Sequence, residues 1–222
     1  MSNNMKALFN PENIAIVGAS NNPSKAGNVI IKNLLRKKYP KQIFPINPRE
    51  DEILGIKAYK NLSDIEERVE LVVLITPSQV IDGVMADLEK RMEAQGDVKA
   101  IVCAAADYGE TKTEEGIRRQ NVLVDTAKKY NIRVVGPNCI GVIDNYSGVD
   151  TTFIETGLPE DEITKGGISF ISQSGAIASS ILMIGDSYPV AMGFNKFVSI
   201  GNMADVDFID LFSKSLRYLT FP

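Results

Sequence analysis

Histidine is missing from the 222-residue sequence. Its absence excludes, within this chain, zinc sites of mixed cysteine–histidine type, Ser-His-Asp triads and histidine acid–base catalysis. A phosphohistidine intermediate is excluded on the same ground, and no metal site is expected. Cysteine is scarce: Cys103 and Cys139 are the only two. They make no disulfide framework, and both sit in apolar stretches, so buried free thiols in a reducing compartment are expected. Long apolar runs are lacking too. None reaches the ~18 residues of a spanning helix, and Met1–Asn10 has no apolar core of the signal-peptide kind. A cytoplasmic chain with no membrane partner is expected. Positive charge is not in excess. Lys and Arg number 24 against 28 Asp and Glu, for a formal net charge of -4, and the pI is about 5.1. No general field therefore draws nucleic acid or anionic lipid to the chain. An anionic ligand must be held by local groups.

What is present is a repeated rhythm. The chain is 44% hydrophobic and 23% charged, ordinary for a globular protein. Its length suits one large domain or two smaller ones. Short apolar runs at Asn13–Ser20, Gln42–Pro48, Glu70–Pro77, Lys99–Ala106 and Arg133–Asn138 read as strands. Between them, Ala26–Lys38, Ser78–Ala94 and Thr113–Tyr130 carry apolar residues at helical spacing. In the second of these, Val80, Ile81, Val84, Met85 and Leu88 are placed on one helical face. Thr113, Glu114 and Glu115 suit the first turn of the third. Strands apolar on both faces and alternating with helices predict an α/β, Rossmann-like, doubly wound parallel sheet over residues 1–145.

After Asn138 the rhythm changes. Gly141–Thr164 is polar and turn-forming and is expected to be a connection with room for one short strand. Gly167–Ser172 starts a new strand and Gly175–Met183 a new helix. Val190–Ile200 reads as strand and Phe208–Leu219 as helix. Residues 146–222 are thus expected to begin a second α/β domain. Two strand–helix pairs are too few for a stable sheet alone, so completion by another chain or a chain cut short is expected. Open edges in such a sheet demand a partner, and an oligomer is expected.

In a doubly wound sheet, ligands bind at the carboxyl ends of the strands. The first such turn runs from Gly18 through Ala19, Ser20 and Asn21 to Lys25, Ala26 and Gly27. Small residues admit a ligand to the backbone, and the following helix offers free amides and a positive dipole end to a phosphate. Lys25 adds charge. The second glycine comes nine residues after the first, so this is not the G-x-G-x-x-G fingerprint. A small-residue turn without a ligand is the alternative. The second turn is Asn47-Pro48-Arg49-Glu50. Where a dinucleotide fold places an acid for a ribose hydroxyl, Arg49 stands instead. It suits a bidentate phosphate contact or a solvated surface position. Thr76-Pro77-Ser78 follows the third strand and equally fits a capping turn. After the fourth, Ala104, Ala105 and Ala106 let a ligand lie against the sheet, while Asp107 and Glu110 read as loop carboxylates.

Gly136-Pro137-Asn138-Cys139 is a rigid turn, and the Asn138 amide bonds both ways. Cys139 has no histidine to activate it as a nucleophile. Ser172-Gln173-Ser174-Gly175-Ala176 lies where a strand becomes a helix. Its amides point out of the helix N-terminus beside two hydroxyls, which makes a phosphate site or a plain N-cap.

In order, VGAS, INP, ITP, GPNC-GVI, SQSGA and SIGN resemble the alpha subunits of ADP-forming acetyl-CoA synthetases. The succinyl-CoA synthetase alpha subunit is similar more distantly. The resemblance runs from about Ile14 to Asp210. It implies a first domain that binds coenzyme A. Gly18, Ser20, Asn21 and Lys25 would lie at the pyrophosphate and nearby ribose phosphate. Asn47, Pro48 and Arg49 would line the nucleotide end, and Thr76, Pro77 and Ala104–Ala106 the pantetheine arm. It implies a flavodoxin-like second domain whose Ser172–Ala176 turn holds phosphate, with Asn138 at the joint of the active site. It implies an acid–thiol ligase working through an acyl phosphate and a phosphohistidine. ATP or ADP and Mg2+ would sit on an ATP-grasp-type beta subunit or domain, and the small molecules handled would be an acyl-CoA, its acid and phosphate. The family's histidine lies downstream of SIGN, in sequence this chain lacks, so the chain alone is expected to bind CoA without turnover. A non-catalytic CoA-binding or CoA-sensing module is an alternative. An NADP-dependent oxidoreductase is a second one, since Arg49 also suits NADP.

Overall fold

The computed structural model describes residues 4–155, 165–187 and 193–214. Four consecutive apolar residues, all buried, make each of the strands β1 (Ile14–Val17) and β2 (Ile43–Ile46). A hairpin follows, β3 (Glu52–Ile53) and β4 (Ile56–Lys57), then β5 (Leu71–Leu74), β6 (Ala100–Cys103) and β7 (Arg133–Val135). The order across the main sheet is β2-β1-β5-β6-β7, with every pairing parallel. The chain steps outward from β1 to β2 and then returns past β1 to β5. The order reverses there, and a crevice opens at the carboxyl ends of the strands beside the reversal.

Side chains alternate between the two faces of this sheet. Ile14, Ile16, Leu71, Val73, Ala100 and Val102 share one core with Ile30, Ile31 and Leu34 of helix α1 (Ala26–Arg36). Ala15, Val17, Val72, Leu74, Ile101 and Cys103 face the opposite core. It is completed by Ile81, Met85 and Leu88 of α2 (Ile81–Ala94) and by Leu123 and Ala127 of α3 (Glu114–Lys129). The Thr113 side chain caps α3 by accepting from the Gly116 amide at 3.0 Å. Helices on both faces of a parallel sheet match the expected doubly wound α/β class.

A second sheet runs in the order β10-β11-β8-β9, formed by β8 (Val142–Asp144), β9 (Val149–Asp150), β10 (Lys165–Ser172) and β11 (Phe194–Ser199). β10 and β11 are parallel, while β8 lies antiparallel to both β11 and β9. Gly141–Thr164 therefore contributes two strands to this sheet where one short strand was expected. Asp144 turns the chain back by accepting from the amides of Tyr146 (2.9 Å) and Ser147 (3.2 Å), and Gly148 takes φ +79°. Helix α4 (Gly175–Ser187) packs Ala178 and Leu182 against Ile140, Ile143 and Phe197. Within the expected strand 190–200, residues 190–192 lie outside the described residues. Of the expected helix 208–219, residues 208–214 are helical, ending in a π-turn at Asp210–Lys214, and 215–219 lie outside.

The two sheets are not separate cores. Val142, Val149, Val198 and Ile200 join the α1-side cluster of the first sheet. Buried and half-buried polar groups cross the same boundary. The Asn33 amide of α1 donates to the carbonyls of Thr152 (2.8 Å) and Ile154 (3.1 Å). Arg133 of β7 pairs with Asp205 at 2.9 Å and Asp210 at 2.6 Å. Among the described residues, no helix is long and apolar enough to cross a membrane.

Candidate functional site

A cleft of ≈ 980 Å³ opens at the reversal of strand order. That volume is at the upper end of the ~300–1,000 Å³ of small-molecule sites. The turn after β1 forms one wall. Gly18 holds φ +98°, and a Cβ there would sit 3.0 Å from the Ile75 carbonyl carbon. Gly27, in the first turn of α1, is tighter still: a Cβ there would lie 2.2 Å from the Gly18 oxygen. The two glycines let α1 point its N-terminus into the cleft. Lys25 is extended at the N-cap position, and no side chain caps the helix. The first-turn amides and dipole of α1 thus face the cleft.

Gly18, Ser20, Lys25, Asn47, Pro48, Arg49, Thr76, Pro77, Ala104, Ala105 and Ala106 all line this one cleft. Asn21 does not. Its side chain donates to the Glu50 carboxylate and to the Glu52 carbonyl (2.8 Å) and accepts from the Leu54 amide (3.0 Å). It ties the first turn to the β3–β4 hairpin. Asn47 lines the cleft with its amide already engaged. It donates to the Ala19 carbonyl (2.8 Å) and accepts from the Arg49 amide (2.8 Å). Among the described residues, Lys25 and Arg49 form no ion pair, and both are exposed. The cations at this cleft mouth are available to an anion.

Other lining residues fall outside the post-strand turns on which the sequence reading concentrated. Lys60 and Leu62 come from the connection between β4 and β5, and Val80, Gly83, Val84 and Asp87 from α2 and the turn before it. Val80 was expected on the same helical face as Ile81, Met85 and Leu88. Those three are buried, whereas Val80 is 48% exposed. It lies in a 3-10 turn at Ser78–Val80 before α2 begins, which rotates it out of the core stripe and toward the cleft. The i, i+4 spacing of Val80 and Val84 was the available signal. It reads equally as core.

The remaining candidates form a second locus at the joint of the two sheets. Ser172, Ser174, Gly175 and Ala176 bring β10 into α4. The Ser172 hydroxyl accepts from the Ser174 amide (3.1 Å) and donates to the Ser174 carbonyl (3.0 Å). The Ser174 hydroxyl accepts from the Ile177 amide at 3.4 Å. Both hydroxyls therefore act as caps in this state. The Ile200 amide donates to the Ser172 carbonyl (2.9 Å), and the Asn202 amide to the Pro137 carbonyl (2.9 Å). These bonds place the turns at Gly136–Asn138, Ser172–Ala176 and Ser199–Asn202 side by side. Asn138 has φ +56°, and its amide donates to the Asn202 side-chain oxygen at 3.4 Å.

Glu110 connects the two loci. One carboxylate oxygen accepts from the amides of Asp107 (2.7 Å) and Tyr108 (3.2 Å), in the loop that continues from Ala104–Ala106. The other accepts from the Asn202 side chain. Burial works to raise the Glu110 carboxyl, but the Asn202 and backbone hydrogen bonds outweigh it and hold it below its ordinary value.

Cys103 and Cys139 are free and buried. Burial pushes the Cys103 thiol up to about 12 and raises that of Cys139 as well. The Cys139 thiol donates to the Cys103 carbonyl at 3.3 Å. Neither thiol is poised as a nucleophile. Among the described residues, no group of three His, Cys, Asp or Glu is arranged to hold a metal ion.

Comparison with known proteins places these features in a lineage. The chain is 39% identical over 205 residues to the alpha subunit of an ADP-forming acetate–CoA ligase II from Pyrococcus furiosus, covering 92% of this chain and 41% of that protein. It is 39% identical over 207 residues to an ADP-forming acetate–CoA ligase of Methanocaldococcus jannaschii, covering 93% of this chain and 27% of that one. A solved structure of a Candidatus Korarchaeum cryptofilum acetyl-coenzyme A synthetase, in complex with phosphate and ADP, superposes with a TM-score of 0.81 at 35% identity. It covers 95% of this chain and 42% of that chain. The chain thus spans less than half the length of these relatives. Residues 165–217 match the succinyl-CoA ligase like flavodoxin domain. Residues 12–145, which build the main sheet and its cleft, match the CoA binding domain, and the chain belongs to that family.

Proposed function

We propose that the cleft binds coenzyme A and that the chain is the CoA-binding portion of an NDP-forming acyl-CoA synthetase of the acetyl-CoA type. Such an enzyme interconverts acyl-CoA, ADP and phosphate with acid, ATP and CoA. The observation that carries the reading is the convergence on one cleft of Lys25, Arg49 and the uncapped N-terminus of α1, with small residues along its floor. A long ligand with phosphates at one end and an apolar arm at the other fits that distribution. The pyrophosphate would meet Gly18, Ser20, Lys25 and the first amides of α1. Asn47, Pro48 and Arg49 would border the nucleotide, and Thr76, Pro77 and Ala104–Ala106 the pantetheine arm. Asn21 supports this site as a tether.

The Ser172–Ala176 turn, with Asn138 beside it, would receive the phosphate or acyl phosphate at the N-terminus of α4, where aligned amides stabilise developing charge. Release of the present caps from Ser172 and Ser174 would free their hydroxyls. A phosphohistidine must come from elsewhere, because this sequence contains no histidine. ATP or ADP with Mg2+ would act on an ATP-grasp-type partner domain or subunit. The Pyrococcus furiosus relative is named as an alpha subunit, which supports a partnered arrangement.

Calorimetric titration with CoA, NAD and NADP tests this reading. CoA alone is expected to bind, with Lys25→Ala and Arg49→Ala each weakening it by about 1–3 kcal/mol. Binding of NADP without CoA would overturn the reading.

A further inference from the structure

Two cations, not one, stand at the nucleotide end of the cleft. Arg49 comes from the turn after β2 and Lys60 from the connection after β4, and both line it. Backbone pairing brings them together. Tyr59 bridges Ile46 in parallel register. The Asn47 amide donates to the Tyr59 carbonyl at 3.0 Å, and the Tyr59 amide to the Pro45 carbonyl at 2.9 Å. Lys60 therefore leaves Tyr59 alongside the turn that carries Arg49.

Lys60 is occupied, but weakly. Its ammonium meets an Asp51 carboxylate oxygen at 2.7 Å and donates to the Glu50 carbonyl at 3.2 Å. The Lys60 side chain is 45% exposed and that of Asp51 94%. An ion pair this open contributes little and exchanges readily. Its hydrogen bond from Lys60 holds the Asp51 carboxyl below its ordinary value. Asp87, a carboxylate that lines the cleft, is already committed to the Leu62 amide at 2.6 Å and the Ser63 hydroxyl at 2.5 Å.

A phosphomonoester carries about -1.5 to -2 charge and three acceptor oxygens near pH 7. It out-competes one solvated carboxylate for a lysine, above all beside a second cation. Coenzyme A carries such a group on its ribose, apart from the pyrophosphate for which Lys25 and α1 are placed. Resting on the CoA reading, we propose that Lys60 is a specificity-determining residue. It leaves Asp51 to share the ribose phosphomonoester with Arg49, so the cleft distinguishes CoA from dephospho-CoA. Asp51 is the internal competitor for Lys60.

Calorimetric titration with CoA and with dephospho-CoA, on the full chain and on Lys60→Gln and Asp51→Asn, decides this. Both positions are exposed, so folding is preserved, and far-UV circular dichroism verifies it. Lys60→Gln is expected to lose roughly tenfold or more in affinity for CoA and to leave dephospho-CoA unchanged. Asp51→Asn is expected to tighten CoA and leave dephospho-CoA unchanged. Equal losses for both ligands in Lys60→Gln, or no loss for either, would overturn the Lys60 assignment while the CoA reading stands. Failure of the unaltered chain to bind either ligand would overturn both together.

Discussion

The same one-methyl substitution has opposite consequences at two glycines of the cleft. At Gly27 the added Cβ lies 2.2 Å from the Gly18 oxygen and 3.0 Å from the Ala19 Cα and the Gly18 carbonyl carbon. Non-bonded atoms rest at about 3.5 Å, so helix α1 and the first turn must part by roughly 1 Å. Every neighbour is backbone, and no flexible side chain can give way. Overpacking of this kind costs about 1–3 kcal/mol. Alanine recovers roughly 0.5–1 kcal/mol of helix propensity over glycine, which leaves Gly27→Ala destabilised by up to about 2.5 kcal/mol. At Gly83 in α2 a Cβ meets nothing within 4 Å, so only the propensity gain operates. Gly83→Ala is expected to be more stable by ~0.5–1 kcal/mol. Urea midpoints at constant slope measure both. Calorimetry adds the functional readout. The displaced first turn of Gly27→Ala should lose CoA affinity on the order of tenfold, or ~1.4 kcal/mol. A Gly27→Ala chain as stable as the original, with unchanged CoA affinity, would refute the close approach of α1 to the turn and with it the placement of the helix N-terminus in the cleft.

Thiol chemistry should be silent in the folded chain. With the Cys103 thiol near 12, only about one molecule in ten thousand is ionised at pH 8. Iodoacetamide is therefore expected to label neither Cys103 nor Cys139 until urea unfolds the chain, and prompt native labelling read by mass spectrometry would contradict their burial. Glu110 should confer a pH-dependent stability. Its folded carboxyl lies below the ordinary value, so its contribution is present above that value and is lost as pH falls through the folded one. The thermal midpoint of the original chain should exceed that of Glu110→Gln at pH 7, and the gap should narrow as pH falls below the ordinary carboxylate range. A gap independent of pH would assign the effect to shape instead of charge.

The main sheet was legible because its strands are buried on both faces. Ile14–Val17, Leu71–Leu74 and Ala100–Cys103 are unbroken apolar runs. The β3–β4 hairpin was not. Its strands are two residues each, and Leu54 occupies φ +51° before Gly55, where asparagine, aspartate or glycine would have signalled the turn. The β8–β9 pair was hidden for another reason. Its partner β11 lies some fifty residues later, so its pairing leaves no local period. Cleft-lining residues on post-strand turns could be read because the crossover point of a doubly wound sheet selects those turns. Lys60, Val80 and Gly83 belong to a connection and a helix flank, where topology makes no selection and local spacing has two readings.

The asparagines of the recurrent turns show what such motifs encode. Asn21 spans to Glu52 and Leu54, Asn47 to Ala19 and Arg49, and Asn202 to Gln120 at 3.1 Å and to Glu110. A carboxamide both donates and accepts, so it can replace a missing backbone partner on either side of a turn. In each case it is spent within the protein, holding one turn against the next. The groups left to meet a ligand are those that cannot serve that purpose: the ammonium of Lys25, the guanidinium of Arg49 and the first amides of α1. Motif similarity therefore reports chiefly the scaffold that sets the spacing of the cleft. In the proposed reading the charge that chooses the ligand sits at the positions between, and a single cation outside the motifs, Lys60, decides which nucleotide ester the cleft accepts.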